Sequence, residues 1–498
     1  MSPDDTGSSG ASQSRHRSTL ETPQTTAPAA AAAPYPGPEY VADFRRAGHE
    51  AVDWIARYLE DVRAHRVLPD VHPGDLVDAL PPSAPDHGED FSVMLRDFER
   101  QILPAVTQWN HPRFMAYFGC TGSTPAILGE MLSAALNTNG IHWKTSPAVS
   151  ELEQVTLAWL RQWLELPREF FGVIYDTASV SSMHAIIAAR EMIDPEAREN
   201  GSRPDLVLYT SEQSHSSIEK GAIAVGIGQK NVRKIPVDSG FRMRPDALSA
   251  AIEYDKAEGK RPFCVVATVG TTSTTSVDPL SAIVEVAEPH GLWVHVDAAY
   301  AGAAAILPEH RHILNGIERA HSLVVNAHKW MLTPIDASIF YTRRPDILKR
   351  AFSLVPEYLA EKEEPRAVSF MDYGLPLGRR FRSLKLWFVM RYFGREGTSR
   401  VLRQHIHWAQ EFASWVDSDA RFQRVAPAPF SVVCFRLRGT DAQNQALLDK
   451  VNASGQLYLS HTALHGQYVL RLAIGNLGTT REDVVAAWEM IREYARQV

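Results

Sequence analysis

Cysteine is scarce in this sequence: Cys120, Cys264 and Cys434 are the only three in 498 residues. Scattered so widely, they offer neither a disulfide frame nor a zinc knuckle, which points to a reducing compartment such as the cytoplasm. Long apolar runs are also missing. None approaches the ~20 residues that a membrane-spanning helix needs. Positive charge is not in excess: 51 Lys and Arg face 58 Asp and Glu, a net charge of −7. That balance argues against nucleic acid or an anionic membrane as the main partner. No internal repeat is visible. What the sequence does have is 45% hydrophobic residues, enough for a large core, and a length that suggests roughly three domains.

Residues 1–37 are rich in Ser, Thr, Ala and Pro and cannot bury a core, so the composition predicts a disordered tail. They hold no apolar core for a secretory signal, and Asp4, Asp5 and Glu21 fit poorly with an organellar transit peptide. From Val41 to Val62 the apolar residues Phe44, Val52, Ile55 and Leu59 fall mostly on one helical face. A second helical run spans Phe91 to Ile102. Too few to fold alone, these helices read as an arm over 38–123 that wraps a partner subunit. From about Thr124 strands and helices alternate: Gly172–Tyr175, Leu206–Tyr209, Phe263–Thr268, Leu292–Asp297 and Leu323–Val325 are strand-like. That alternation predicts an α/β domain with a mostly parallel sheet over 124–385, with ligands at the carboxyl ends of its strands. After Leu386 a long helical stretch from Trp387 to about Val416 leads into the strand-like runs Ser431–Leu437 and Tyr468–Leu472. A small α+β domain is expected over 386–498.

Two strand ends carry the chemistry. Asn326-Ala327-His328-Lys329-Trp330 follows the apolar run Leu323-Val324-Val325. A lysine placed there is partly desolvated, which lowers its pKa and suits it to Schiff-base chemistry. Taken alone, Lys329 reads more readily as a surface lysine in a loop. About thirty residues upstream, Leu292-Trp293-Val294-His295-Val296 delivers Asp297. A carboxylate at the end of a buried strand is expensive unless a cation meets it, and a protonated pyridine nitrogen is such a cation. By itself Asp297 could be a helix N-cap or half of an ion pair. Together, the lysine and the aspartate are what pyridoxal phosphate (PLP) requires: an imine-forming amine and a carboxylate that keeps the ring an electron sink. Thr177-Ala178-Ser179 opens a helix straight after a strand, where hydroxyls and free N–H groups bind phosphate, although an ordinary N-cap looks the same. His215 lies just beyond another strand, placed to stack on a flat ring or to cap a helix. Thr268 ends its strand where a ring substituent would lie. His310 and His312 read as surface residues, and no metal site is expected.

With these residues in hand, a resemblance stands out. His295-Val296-Asp297-Ala298-Ala299-Tyr300-Ala301-Gly302, followed by Asn326-Ala327-His328-Lys329-Trp330, is similar to the group II PLP-dependent decarboxylases, and most of all to the aromatic-L-amino-acid decarboxylases. Ala116-Tyr117-Phe118, Ser146-Pro147-Ala148, Ala267–Thr272 and Pro376–Lys385 extend it from about Tyr40 to Val498. The resemblance implies fold type I of the PLP-dependent transferases and a homodimer with its sites at the subunit interface. It implies a Schiff base on Lys329, Asp297 at the pyridine nitrogen and His215 stacked on the ring. Ala178, Ser179, Asn326 and His328 then surround the phosphate, and Thr268 matches a cofactor-contacting threonine. Trp109, Tyr117, Cys120, Ile141 and Gly378 fall on the substrate pocket, with Ile141 supplied by the neighbouring subunit. Tyr358, in a charged segment, matches the tyrosine that returns a proton to the substrate. Relatives with phenylalanine there act instead as aldehyde synthases.

The expected activity is therefore decarboxylation of tryptophan, 5-hydroxytryptophan, DOPA, phenylalanine or tyrosine to the amine, with an aromatic aldehyde synthase as the alternative. Glycine at 378 favours the indole substrates and DOPA over tyrosine. Two departures stand against the family pattern. Asp176 replaces the glycine usual before the phosphate-binding run, putting a carboxylate near a dianion, and Cys120 stands where threonine is common. An aminotransferase shares the fold expected here. A metal-dependent hydrolase built on His295, Asp297 and His310 matches no known metal spacing.

Overall fold

The computed structural model describes residues 37–120, 122–354 and 366–498. The chain divides into two compact units, 1–108 and 109–498, so the first divide falls ahead of the 123/124 boundary expected from sequence.

In the first unit a helix runs over Pro38–Asp61, with proline in its first turn, where a missing N–H costs nothing. None of its residues is buried, and Phe44 is 70% exposed. Trp54 stacks on Tyr58 and meets the edge of Phe98, and its indole N–H donates to Glu99 at 2.7 Å. Asp90 caps the helix Phe91–Asp97 by accepting the Ser92 N–H.

The second unit holds two sheets. Its strands in chain order are β1 (Phe114–Met115), β2 (Phe171–Tyr175), β3 (Leu206–Ser211), β4 (Val232–Ile235), β5 (Arg261–Thr268) and β6 (Trp293–Asp297), then β7 (Ser322–Asn326), β8 (Ser338–Thr342), β9 (Phe422–Arg424), β10 (Val432–Leu437), β11 (Tyr458–Leu464) and β12 (Gln467–Ala473). The larger sheet has the order β2-β8-β7-β6-β5-β3-β4. Pairs β3–β4, β3–β5, β5–β6 and β6–β7 are parallel, and only β8 runs against its neighbours. β3, β6, β7 and β8 are buried along their whole length. That explains their near-continuous apolar runs: a parallel sheet is covered on both faces. Successive residues feed two cores, Val265, Ala267 and Ile339 on one face and Cys264, Val266 and Phe340 on the other.

The smaller sheet has the order β1-β11-β12-β10-β9. β1 belongs to a segment that the sequence reading assigned to the arm, yet it pairs with β11, Phe114 opposite Tyr458. The helix expected over 387–416 extends over Arg382–Ser418 and so passes through the expected 385/386 divide. It breaks at Gly394, whose φ of 63° and ψ of 179° suit only glycine. Among the described residues, no helix is long and apolar enough to cross a membrane.

Candidate active site

Parallel strands put their carboxyl ends on one edge of the sheet, and the sequence loads that edge with polar side chains. β2 leads to Thr177, the N-cap of the helix Ala178–Ile193. β3 leads to His215, the N-cap of the helix Ser216–Ala224. β5 ends on Thr268 and β6 on Asp297. β7 ends on Asn326, and a single helical turn then carries His328 and Lys329. Thr177, Ala178, Ser179, His215, Thr268, Asp297, Asn326, His328 and Lys329 all line one cavity of about 190 Å³. Two larger surface depressions, about 780 and 620 Å³, contain none of them. The chemistry, not the volume, marks the site.

Lys329 keeps part of its surface open to the cavity it lines. Burial lowers its pKa below the ordinary lysine value, against the opposing pull of Asp297 and Cys120. Its Nζ lies 5.3 Å from the Phe118 ring centroid, within cation–π range. Neighbouring Trp330 anchors the turn. Its indole N–H donates to His405 at 3.0 Å, and its ring stacks on Tyr300, which stacks in turn on Phe118 at 3.8 Å.

Asp297 is 7% exposed and accepts the Ala299 N–H at 3.1 Å. Behind it, His295 is buried between two hydroxyls, Ser322 at 2.9 Å and Ser182 at 3.1 Å, and burial pushes its pKa down to about 4. His215 accepts the Ser217 N–H at Nδ1, 3.2 Å away, so the neutral ring carries its proton on Nε2. Burial and then the Lys329 charge hold its pKa below the usual histidine value, with Asp297 pulling the other way.

The start of the helix Ala178–Ile193 is an anion cradle in kind. Its first-turn N–H groups have no partner within the helix, and Ser179 adds a hydroxyl to the cavity wall. Asn326 is locked by Ser338, 2.7 Å from its Oδ1, and Ser338 in turn bonds Ser181 at 2.7 Å. His328 accepts the Ala337 N–H at Nδ1, and its Nε2 lies 3.2 Å from the Asn326 amide. Burial, then Lys329, pushes its pKa down to about 4. Asp176 turns its carboxylate back onto the Thr177 N–H and hydroxyl and does not line the cavity. Its φ is not positive, so the backbone does not require the family's glycine there. An amine of lowered pKa, a strand-end carboxylate and a helix N-terminus with hydroxyls form a donor set that fits PLP.

The substrate-pocket candidates separate into neighbourhoods. Cys120 is close enough to feel the Lys329 charge, which opposes the upward push of burial on its thiol. Trp109 and Tyr117 are exposed and stand in an aromatic cluster, Trp109 stacked 4.3 Å from Phe114 and the Tyr117 hydroxyl 3.4 Å from that of Tyr458. Gly378 and Ile141 meet around Asn139. A Cβ at 378 would lie 3.4 Å from the Asn139 amide, and Ile141 donates its N–H to the Asn139 carbonyl. Tyr358 lies outside the described residues. The sequence reading missed Phe118, Ser217, Gly270, Thr272, Ala299 and Tyr300 as cavity walls. For Gly270, Thr272, Ala299 and Tyr300 the available signal was their position just after strand ends, as for Thr272 in the loop leaving β5.

Comparison with known proteins points to one family. The profile of the pyridoxal-dependent decarboxylase conserved domain matches residues 73–438. Tryptophan decarboxylase 2 of Oryza sativa subsp. japonica is 42% identical over 473 residues, covering 91% of this chain and 95% of the relative. Phenylacetaldehyde synthase of Arabidopsis thaliana is 43% identical over 468 residues, covering 91% and 95%. The crystal structure of Oryza sativa TDC with PLP and tryptamine superposes with a TM-score of 0.89 at 36% identity, covering 93% of this chain and 99% of that one.

Proposed function

The chain belongs to the pyridoxal-dependent decarboxylase family, and on that premise we propose that it converts aromatic L-amino acids to their amines and carbon dioxide. It is a carboxy-lyase of fold type I with PLP as cofactor. The observation that carries the residue assignments is Lys329 and Asp297 reaching one cavity from the ends of adjacent parallel strands.

PLP, when bound, supplies the sink for the electron pair that the departing carboxylate leaves behind. The chain's own residues do the rest. Lys329, its pKa lowered, would present more of its Nζ as the neutral amine able to bond the cofactor's carbonyl. Asp297 would hold a proton on the pyridine nitrogen. Ala178, Ser179 and Asn326 take the phosphate, with Thr177 beside them, and His328 adds a neutral polar edge. His215 and Thr268, both on the cavity wall, would flank the ring. The stacked rings of Phe118, Tyr300 and Trp330 keep water from the amine's side. Tyr358 is the candidate donor of the proton that the α-carbon needs.

The exposed aromatic cluster of Trp109 and Tyr117 supports an aromatic side chain as substrate. The glycine at 378, facing Asn139, supports tryptophan, 5-hydroxytryptophan or DOPA, with phenylalanine and tyrosine also in range. A homodimer is supported by Leu128, Met131, Leu132 and Leu136, which leave one face of the helix Thr124–Leu136 apolar and exposed. In a dimer Ile141 would serve the partner's site. Three free cysteines suit the cytoplasm. An aldehyde synthase is the second reading, because the Arabidopsis synthase is as similar to this chain as the rice decarboxylase is. Carbon dioxide, amine and oxygen uptake measured across a panel of aromatic amino acids test both. Amine in step with carbon dioxide, without oxygen uptake, is expected. Oxygen uptake in step with substrate would replace the amine reading with the aldehyde one.

A further inference from the structure

One buried acid has no part in the chemistry above. Asp278 is 1% exposed and sits at the foot of the loop that leaves β5. Its Oδ2 accepts the Thr268 N–H at 2.8 Å and its Oδ1 accepts the Met243 N–H at 2.7 Å. Its own N–H donates to the Thr268 carbonyl at 2.9 Å. Thr268 is thus gripped on both its backbone groups by one residue.

The loop so gripped is stiff. Val269 bridges Val277, and the N–H groups of Gly270 and Thr271 both donate to the Ser276 carbonyl at 3.0 Å. Thr271, Thr274 and Ser276 bond through their hydroxyls. Gly270, with φ of 88°, lies so close to Ala301 that a Cβ would come within 2.5 Å of it. Thr268, Gly270 and Thr272 all line the cavity. A shift at the foot of such a hairpin moves all three together.

Asp278 is an odd choice for a structural clamp. Burial pushes its pKa up to about 6 against the two N–H groups, and Asp238 adds a smaller upward push. Asp238 lies on the turn that carries Met243 and is itself held by Arg242 at 2.7 Å. Arg261 stands at the far end of β5, and Glu285, on the adjoining helix Leu280–Ala287, is exposed. A carboxyl whose folded pKa is raised adds stability at low pH and loses it as pH climbs from about 4 to about 6. At neutral pH the fold alone would do better with an uncharged side chain.

We propose that Asp278 is a positioning residue for this reaction: by accepting two backbone N–H groups, its carboxylate holds the Thr268–Thr272 loop at the cavity wall. Protonation removes one acceptor and slackens the loop. The proposal rests on the decarboxylase reading, and its test keeps the two apart. Holoenzyme turnover and the absorbance of bound cofactor are measured against pH for wild type and Asp278→Asn. Amide exchange of the peptide containing Thr268 is followed in the wild type with and without cofactor. Wild-type kcat should fall about tenfold from about pH 7.5 to about pH 5, with a matching loss of exchange protection at Thr268 but not in β7. Asp278→Asn should be about tenfold slower at the higher pH and lack that acid limb. A variant that titrates with the wild-type midpoint would overturn the proposal. So would wild-type protection at Thr268 that ignores pH, and this measurement decides alone if the variant does not fold. If wild type releases no carbon dioxide from any aromatic amino acid, the functional reading fails while the exchange result still judges Asp278.

Discussion

The two sheets of the second unit differ in burial, the smaller one leaving parts of β9, β11 and β12 exposed, and they put their polar residues to different ends. In the seven-stranded sheet, β3, β5, β6 and β7 run parallel, so His215, Thr268, Asp297 and Asn326 arrive at one edge and face one cavity. In the five-stranded sheet β9 to β12 run antiparallel, and their ends alternate between edges. Its buried arginines tie down backbone instead: Arg471 takes the carbonyls of Ser273 and Ala116, and Arg436 that of Gly439 together with the Asp441 carboxylate. Strand direction, more than composition, decides which sheet can gather side chains from distant parts of the chain.

Substitutions can break or sharpen that contrast. The largest effect is expected at Lys329→Ala: purified protein should hold no borohydride-reducible bond to PLP and show no turnover. A reducible bond that survives would move the amine to another residue. Asp297→Asn should keep the cofactor but slow carbon dioxide release by about 10²–10³, the usual loss for one preorganised electrostatic partner. Near-normal turnover in a folded variant would count against the carboxylate's role. Leu132→Arg, on the exposed face of the helix Thr124–Leu136, should shift sedimentation toward monomer and lower activity in proportion; an unchanged dimer would place the interface elsewhere. The smallest catalytic effect belongs to the other sheet. Leu470→Ala, in the core of β12, should cost about 2–5 kcal/mol of stability and leave kcat per bound cofactor unchanged. A large fall in kcat there would erase the distinction between the sheets.

The strand-end residues were legible because a buried strand writes an apolar run, and Asp297 and Lys329 stand where such runs stop. The short strands were harder to see. β4 reads Val-Arg-Lys-Ile, and β11 mixes Ser460, His461 and Thr462 among its apolar residues, as half-exposed strands do. β1, two residues long, has no period at all. Phe118 was legible only as part of a family motif, since its role comes from contacts with Tyr300 and Lys329, far away in the chain. At the expected 385/386 divide a helical period runs straight through, and only Gly394, past the divide, interrupts the helix.

β1 also bears on how the molecule is made. Its pairing joins Phe114 to Tyr458, while Asn476 bonds the Trp109 carbonyl and Thr479 that of Pro112. The segment that carries Phe118 and Cys120 toward Lys329 is therefore sewn down by residues from the last tenth of the chain. A ribosome releases the strands of the large sheet long before those stitches exist. On the growing chain, the lysine edge can form while one of its walls still waits. The finished site thus waits on residues made well after the large sheet, and a nascent chain stalled short of β11 would carry Lys329 with the Phe118 segment not yet pinned beside it.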